Sequence, residues 1–120
     1  MAVRAIRGAI QLDSDERSHL LKSTAELVTK VLHENNLSQA DLISIFFTAT
    51  PDVTSEFPAL AARELGLGDV PLMCSVEMDV RGAMPRVIRL MMHVETHLSR
   101  SEIQHIYLRG AANLRTDLAQ

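Results

Sequence analysis

Arg86-Val87-Ile88-Arg89-Leu90-Met91-Met92-His93-Val94-Glu95 is the stretch on which the reading of this chain turns. Ile88, Leu90, Met92 and Val94 share one parity, and Val87, Arg89, Met91 and His93 share the other. A period of two is that of a β-strand, whose successive side chains point to opposite faces. One face is wholly apolar and asks to be buried. The other carries a guanidinium in the middle of an apolar run. An unpaired buried charge is very costly, so Arg89 must find a counter-charge, a ligand or water. Two readings follow: an edge-strand arginine reaching out to solvent, or an arginine held for an anion.

Working outward, Glu77 to Pro85, with Gly82 and Pro85, reads as a loop, and Val70 to Cys74 as an apolar strand before it. Leu42 to Thr50 is rich in β-branched and aromatic residues and stops at Pro51-Asp52, so it is a strand. Val3 to Ile10 alternates as well, placing Arg7 on the Val3/Ala5/Ala9 side and Arg4 on the Ile6/Gly8/Ile10 side. Arg7 repeats the case of Arg89, just before Gly8. On the C-terminal side, Ser99 and Glu102 have capping-box spacing. Ile103 to Leu108 then predicts a last strand, with Ile106 and Leu108 opposite His105, Tyr107 and Arg109.

Two helices lie between the strands. Asp13 and Ser14 offer N-cap chemistry with Glu16 three residues after Asp13. From there to about Glu34, Leu20, Leu21, Leu27, Val28, Val31 and Leu32 form one stripe, ending at Asn35-Asn36. A short turn spans Ser38 to Asp41. The second helix has Pro58 in its first turn and Gly66 after its end. The order β-α-β-α-β-β-β, without repeat or boundary, predicts an α/β (α+β) fold in one domain, residues 1–120. Its mixed five-stranded sheet carries helices packed on one face. The Val87/Met91 side would then be covered by another copy of the chain.

Composition narrows the function. Hydrophobic residues are 47% and charged residues 22%, as in a folded globular chain, and aromatics are only 3% with no Trp. No apolar run approaches the roughly 20 residues of a membrane helix. The N-terminus does not read as a signal peptide, and Cys74, the single cysteine, cannot form an internal disulfide. A cytoplasmic setting is the expectation. The net charge of -3 speaks against a nucleic-acid footprint. Ten of the basic residues are arginine against two lysines, and arginine suits bidentate binding of carboxylates or phosphates. There is no GxSxG elbow, no Gly-rich phosphate loop and no nucleophile with its base. His93 and His97 fall in a strand and a turn rather than on one helix, so metal binding carries little weight. What remains is arginine, Glu77 and Tyr107, an inventory for anion binding or for a reaction without covalent or proton-transfer steps.

Several segments together resemble the monofunctional, trimeric chorismate mutases of the non-helical, pseudo α/β-barrel class. They are Arg4-Ala5-Ile6-Arg7-Gly8-Ala9, Thr48-Ala49-Thr50-Pro51-Asp52, Phe57-Pro58-Ala59 with Arg63, and Val70-Pro71. Further along come Glu77-Met78-Asp79-Val80, Ile88-Arg89-Leu90-Met91-Met92, His105-Ile106-Tyr107-Leu108 and Leu114-Arg115-Thr116-Asp117-Leu118. The resemblance implies a homotrimer with sites between subunits and the Claisen rearrangement of chorismate to prephenate, without cofactor or metal. It implies Arg7, Arg63 and Tyr107 on substrate carboxylates, Arg89 on the ether oxygen, and Glu77 with Cys74 near the ring hydroxyl. It also implies Phe57, Ala59, Met73 and Leu114 as lining, and Arg115 in a closing, mobile tail from about 113. The chain departs from the family's pattern at Leu60, where a lysine is expected, at Met73, where threonine is common, and at Thr116, where proline is usual. Two other readings stand beside it: a trimeric imine-deaminase-like enzyme, and a non-catalytic binder of an acidic metabolite.

Overall fold

The computed structural model describes residues 1–114. Strands β1 (Ala2–Gln11), β2 (Leu42–Ala49), β3 (Leu72–Val76), β4 (Val87–Thr96) and β5 (Ile106–Leu108) alternate with helices α1 (Arg17–Glu34) and α2 (Pro58–Ala62) in the expected order. The sheet order is β3-β2-β4-β1-β5. β4 runs antiparallel to both β1 and β2, while β1/β5 and β2/β3 are parallel pairs, so the sheet is mixed and the fold α+β.

Where elements begin and end departs from the sequence reading in four places, each with a local cause. The expected box from Asp13 does not form. The carboxylate of Glu16 itself accepts the N–H groups of Ser18 and His19, so α1 starts at Arg17. Asp15 is drawn away to Thr54 and Ser55, whose N–H groups it accepts at 2.9 and 3.1 Å. β3 starts at Leu72 rather than Val70, because the Val70 N–H closes a turn on the Leu67 carbonyl. Pro71 has no N–H to give, and only its carbonyl joins the ladder, to Ile45. Helix α2 is short and runs into a wider turn, Arg63–Leu67, in which Gly66 adopts φ 94°, a region that favours glycine. β5 shrinks to three residues. His105 Nδ1 accepts the Arg7 N–H at 2.9 Å, a side chain standing where a strand carbonyl would be. Arg109 ends the strand at φ 55° and ties its guanidinium to Ser23 and Glu26 of α1.

The core lies between the sheet and the helices. Ile6 and Ile10 of β1, Ile45 and Phe47 of β2, and Ile88, Leu90, Met92 and Val94 of β4 meet Leu20, Leu27, Val28 and Val31 of α1. Gly8 is needed here for space: a Cβ would sit 3.2 Å from Leu90 and 3.3 Å from Leu27. On the opposite face a smaller cluster, Ala9, Val87, Tyr107 and Ala111 with Met84 and Leu114, packs under the turn Arg109–Asn113. The rest of that face is open, with Val3, Phe46, Met73 and Met91 exposed.

Candidate active site

The register of the sheet assembles the site. Arg89 on β4 is paired with Thr48 on β2 and with Ala9 on β1, and Ala9 is paired with Tyr107 on β5. One row across the sheet therefore reads Thr48-Arg89-Ala9-Tyr107, all on the face away from the helices. The next row sets Phe46 beside Met91 and Met91 beside Arg7. Ala9 keeps the space between Arg89 and Tyr107 small-walled. Arg7 lies diagonally across from both.

Glu77 follows the end of β3. Its N–H donates to the Ala49 carbonyl at 2.8 Å, continuing the parallel pairing by one residue. Its carboxylate Oε2 accepts the Thr48 hydroxyl at 2.6 Å and lies 3.6 Å from Arg89 Nε. That is an ion pair beyond hydrogen-bond length, and Arg89 Nε is buried without a hydrogen-bond partner among the described residues. Arg7 carries a second buried nitrogen, an Nη, that has no partner among those residues. The side chains of Arg89 and Glu77 are 41% and 29% exposed, open enough for a ligand to reach both.

Arg7, Gly8, Phe46, Thr48, Glu77, Arg89, Leu90, Met91 and Tyr107 wall a cavity of about 210 Å³. Two guanidinium groups face one carboxylate, so the cavity is net cationic. Thr48 and Tyr107 add hydroxyls, and Phe46, Leu90 and Met91 supply an apolar wall that strengthens the field felt beside it. The arrangement can hold an anion against two forked donors and direct one of them at a developing negative charge.

Of the residues read from the sequence, Arg7, Glu77, Arg89 and Tyr107 are brought together. The others are not brought to this cavity within one chain. Cys74 sits on the helix-side parity of β3, paired with Phe47, and lines a separate recess of about 470 Å³ with Phe57. Ala59 is buried in α2 and Arg63 is exposed at its end. Met73, 59% exposed, stands on the open face one strand beyond Phe46. Leu114 packs on the cluster under the last turn. Arg115 and Thr116 lie outside the described residues. Thr48, Phe46 and Met91 line the cavity but were not singled out from the sequence as site residues. In β2 Thr48 shares its parity with Leu42, Ser44 and Phe46, so alternation places it opposite the apolar Ile45/Phe47 face, but only its pairing with Arg89 puts it at the cavity.

Comparison with known proteins bears on this geometry. A family model described as chorismate mutase type I matches residues 3–118. The chain is 40% identical over 120 residues to chorismate mutase AroH of Bacillus subtilis (strain 168), covering 99% of this chain and 94% of that protein. It is 43% identical over 117 residues to chorismate mutase AroH of Thermus thermophilus, covering 97% and 96%. Among solved structures, a chorismate mutase from Clostridium thermocellum superimposes with a TM-score of 0.90 at 40% identity, covering 92% of this chain and 98% of that one.

Proposed function

We infer, from the premise that this chain belongs to the type I chorismate mutase family and converts chorismate to prephenate, that the Arg7/Glu77/Arg89/Tyr107 cavity is where it does so. The enzyme is an isomerase of aromatic amino-acid biosynthesis. Family membership sets aside the imine-deaminase-like and non-catalytic readings.

The reaction breaks a C–O bond and forms a C–C bond within one molecule, so no atom is gained or lost and no nucleophile is required. In this reading Arg7 and Tyr107 bind substrate carboxylates and hold the compact, reactive shape, the conformational part of catalysis. Arg89 meets the ether oxygen as it gains negative charge, an interaction stronger in the transition state than in the ground state. Glu77 orients Arg89 and accepts from the ring hydroxyl. The observation that carries the reading is the buried Arg89 Nε, 3.6 Å from its carboxylate and without a hydrogen-bond partner among the described residues, in a net cationic cavity.

The assembly belongs to the same proposal. Three copies of this one-domain chain, 1–120, cover one another's open faces as a pseudo α/β barrel. Exposed Phe46, Met73 and Met91, neighbours across the sheet, together with Val3, support this, since contiguous exposed apolar residues mark interaction surfaces. Phe57, Ala59, Arg63, Met73 and Cys74 then serve a neighbour's cavity, and Leu114 and Arg115 close it. The exposure of Phe57 at 67% and of Arg63 suits that role. No helix among the described residues is long and apolar enough to cross a membrane, which is compatible with a cytoplasmic enzyme.

The test is to mix purified protein with chorismate and a metal chelator, without cofactor, and to follow chorismate loss and prephenate appearance. Turnover in the native protein and its collapse in Arg89→Ala is the expected result. Undiminished turnover in Arg89→Ala would take this cavity out of the chemistry.

A further inference from the structure

We propose that Thr48 is a positioning residue for the reaction, one that holds the Glu77 carboxylate off Arg89 and so keeps the guanidinium free for substrate. The inference rests on the reading of Glu77 and Arg89 given above and adds a third member to the pair.

Glu77 Oε2 faces two donors. The Thr48 hydroxyl reaches it at 2.6 Å, the length of a charge-assisted O–H···O⁻ bond. Arg89 Nε stops at 3.6 Å. A guanidinium and a carboxylate free to meet would close to about 2.8 Å and pair bidentately. Here they do not, although Arg89 Nε is buried and has no hydrogen-bond partner among the described residues. The carboxylate is restrained at two points. Its backbone N–H is tied to the Ala49 carbonyl, and its side chain is tied to the hydroxyl of the residue next to Ala49. Both anchors are on β2, and Thr48 is the register partner of Arg89 itself. Three strands thus fix donor, carboxylate and guanidinium relative to one another.

The consequence is electrostatic. A closed Arg89–Glu77 pair would spend the guanidinium's donors on the protein and lower its pull on an ether oxygen. Held apart, Arg89 keeps its positive field directed into the cavity. Glu77 Oε1, with no hydrogen bond among the described residues, stays available to a hydroxyl of the substrate. A hydroxyl serves better than a larger polar group because it donates one bond without adding charge, leaving the cavity net cationic.

Thr48→Val keeps the shape and removes the donor. The measurement is kcat and KM for chorismate in Thr48→Val, Thr48→Ser, Glu77→Ala, the Thr48→Val/Glu77→Ala double variant and Arg89→Ala, with thermal midpoints for each. Losing a hydrogen bond to a charged group predicts a fall of about ten- to a hundredfold in kcat for Thr48→Val, with KM changing far less. Thr48→Ser restores most of the rate. In the Glu77→Ala background the valine has nothing left to misplace, so it adds little, and the two effects are strongly non-additive. A Thr48→Val enzyme with native kcat overturns the proposal, and so does a loss that persists undiminished without Glu77. Should Arg89→Ala keep native turnover, the underlying reading of the cavity fails instead, an outcome separate from either of these.

Discussion

The two faces of β4 follow different rules. Ile88, Leu90, Met92 and Val94 are at most 4% exposed and lie under the helices, in an unbroken apolar layer. One residue out of step, Arg89 and His93 are half-buried and Met91 is exposed, among open polar and apolar neighbours. The same ten residues therefore hold part of the dry core and the guanidinium of the proposed site. A period of two makes this separation cheap, since neighbouring side chains need not share an environment. Substitutions should sort by parity: one set changes whether the chain folds, the other what the folded chain does.

The largest effect tests the second half of that statement. In the proposed mechanism Arg89→Ala removes a fixed cation aimed at a developing oxyanion, which predicts a loss of at least about 10²–10³ in kcat. The thermal midpoint should hardly move, because the side chain is not packed in the core. Arg89→Lys should be nearly as poor, an ammonium lacking the planar fork. Steady-state kinetics beside a melting curve checks both. A variant that loses stability rather than rate would erase the distinction between the faces. Met92→Ala, on the helix-facing parity and away from the cavity, should do the reverse and cost about 2–5 kcal/mol of folding free energy through the space it leaves. Denaturant unfolding measures that cost. Turnover per folded molecule should survive.

How far the sequence could see follows from the same periodicity. The alternation of β1 and β4 put Arg7 and Arg89 on the face where the structure has them, and the helical stripe of α1 named its buried leucines and valines but not buried Ser23 and Thr24, with Leu21 and Leu32 falling at its half-buried margin. Element ends were less legible because they depend on partners distant in the chain. Asp15 is claimed by Thr54 and Ser55, and the Arg7 N–H by His105, contacts that no local pattern encodes. Thr48 was missed for a related reason. Its neighbours are apolar on both sides, and its value lies in being opposite Arg89 and within reach of Glu77. Nor does one chain bring Phe57, Cys74 or Met73 to the cavity, though the resemblance placed them there. In the proposed trimer, with its sites between subunits, each chain would hold only part of a site.

That last point sets a third prediction. Phe46 is 45% exposed at the cavity wall, edge-on to the His93 ring with centroids 6.1 Å apart. If a second copy covers this face, Phe46→Asp buries a carboxylate in the seam. The cost should be about 2 kcal/mol or more of association free energy, as for a central aromatic in an interface. Sedimentation should show a smaller species and activity should fall with it, while circular dichroism stays native. An unchanged, active assembly would mean that the open face is not the seam.

The smallest effect belongs to the helix side and has a sign that can be checked. The hydroxyl of Ser18 foremost, then the N–H of Ser18, holds the Glu16 carboxyl below the ordinary carboxylate range. A group whose value is depressed by folding stabilises the native state when it is ionised in both states, above that range. The stabilisation fades as pH falls through the folded value, because the unfolded chain then takes up the proton first. Glu16→Ala should therefore melt below the native protein at neutral pH and converge with it in acid. Glu102, held low mainly by the N–H of Ser99, keeps its own acid sensitivity in both proteins, so the difference between the two curves isolates Glu16. Turnover should not follow the melting curves, since Glu16 lies at the start of a helix that covers only the dry face. A change in kcat with Glu16→Ala would show that the two faces are coupled through α1 after all.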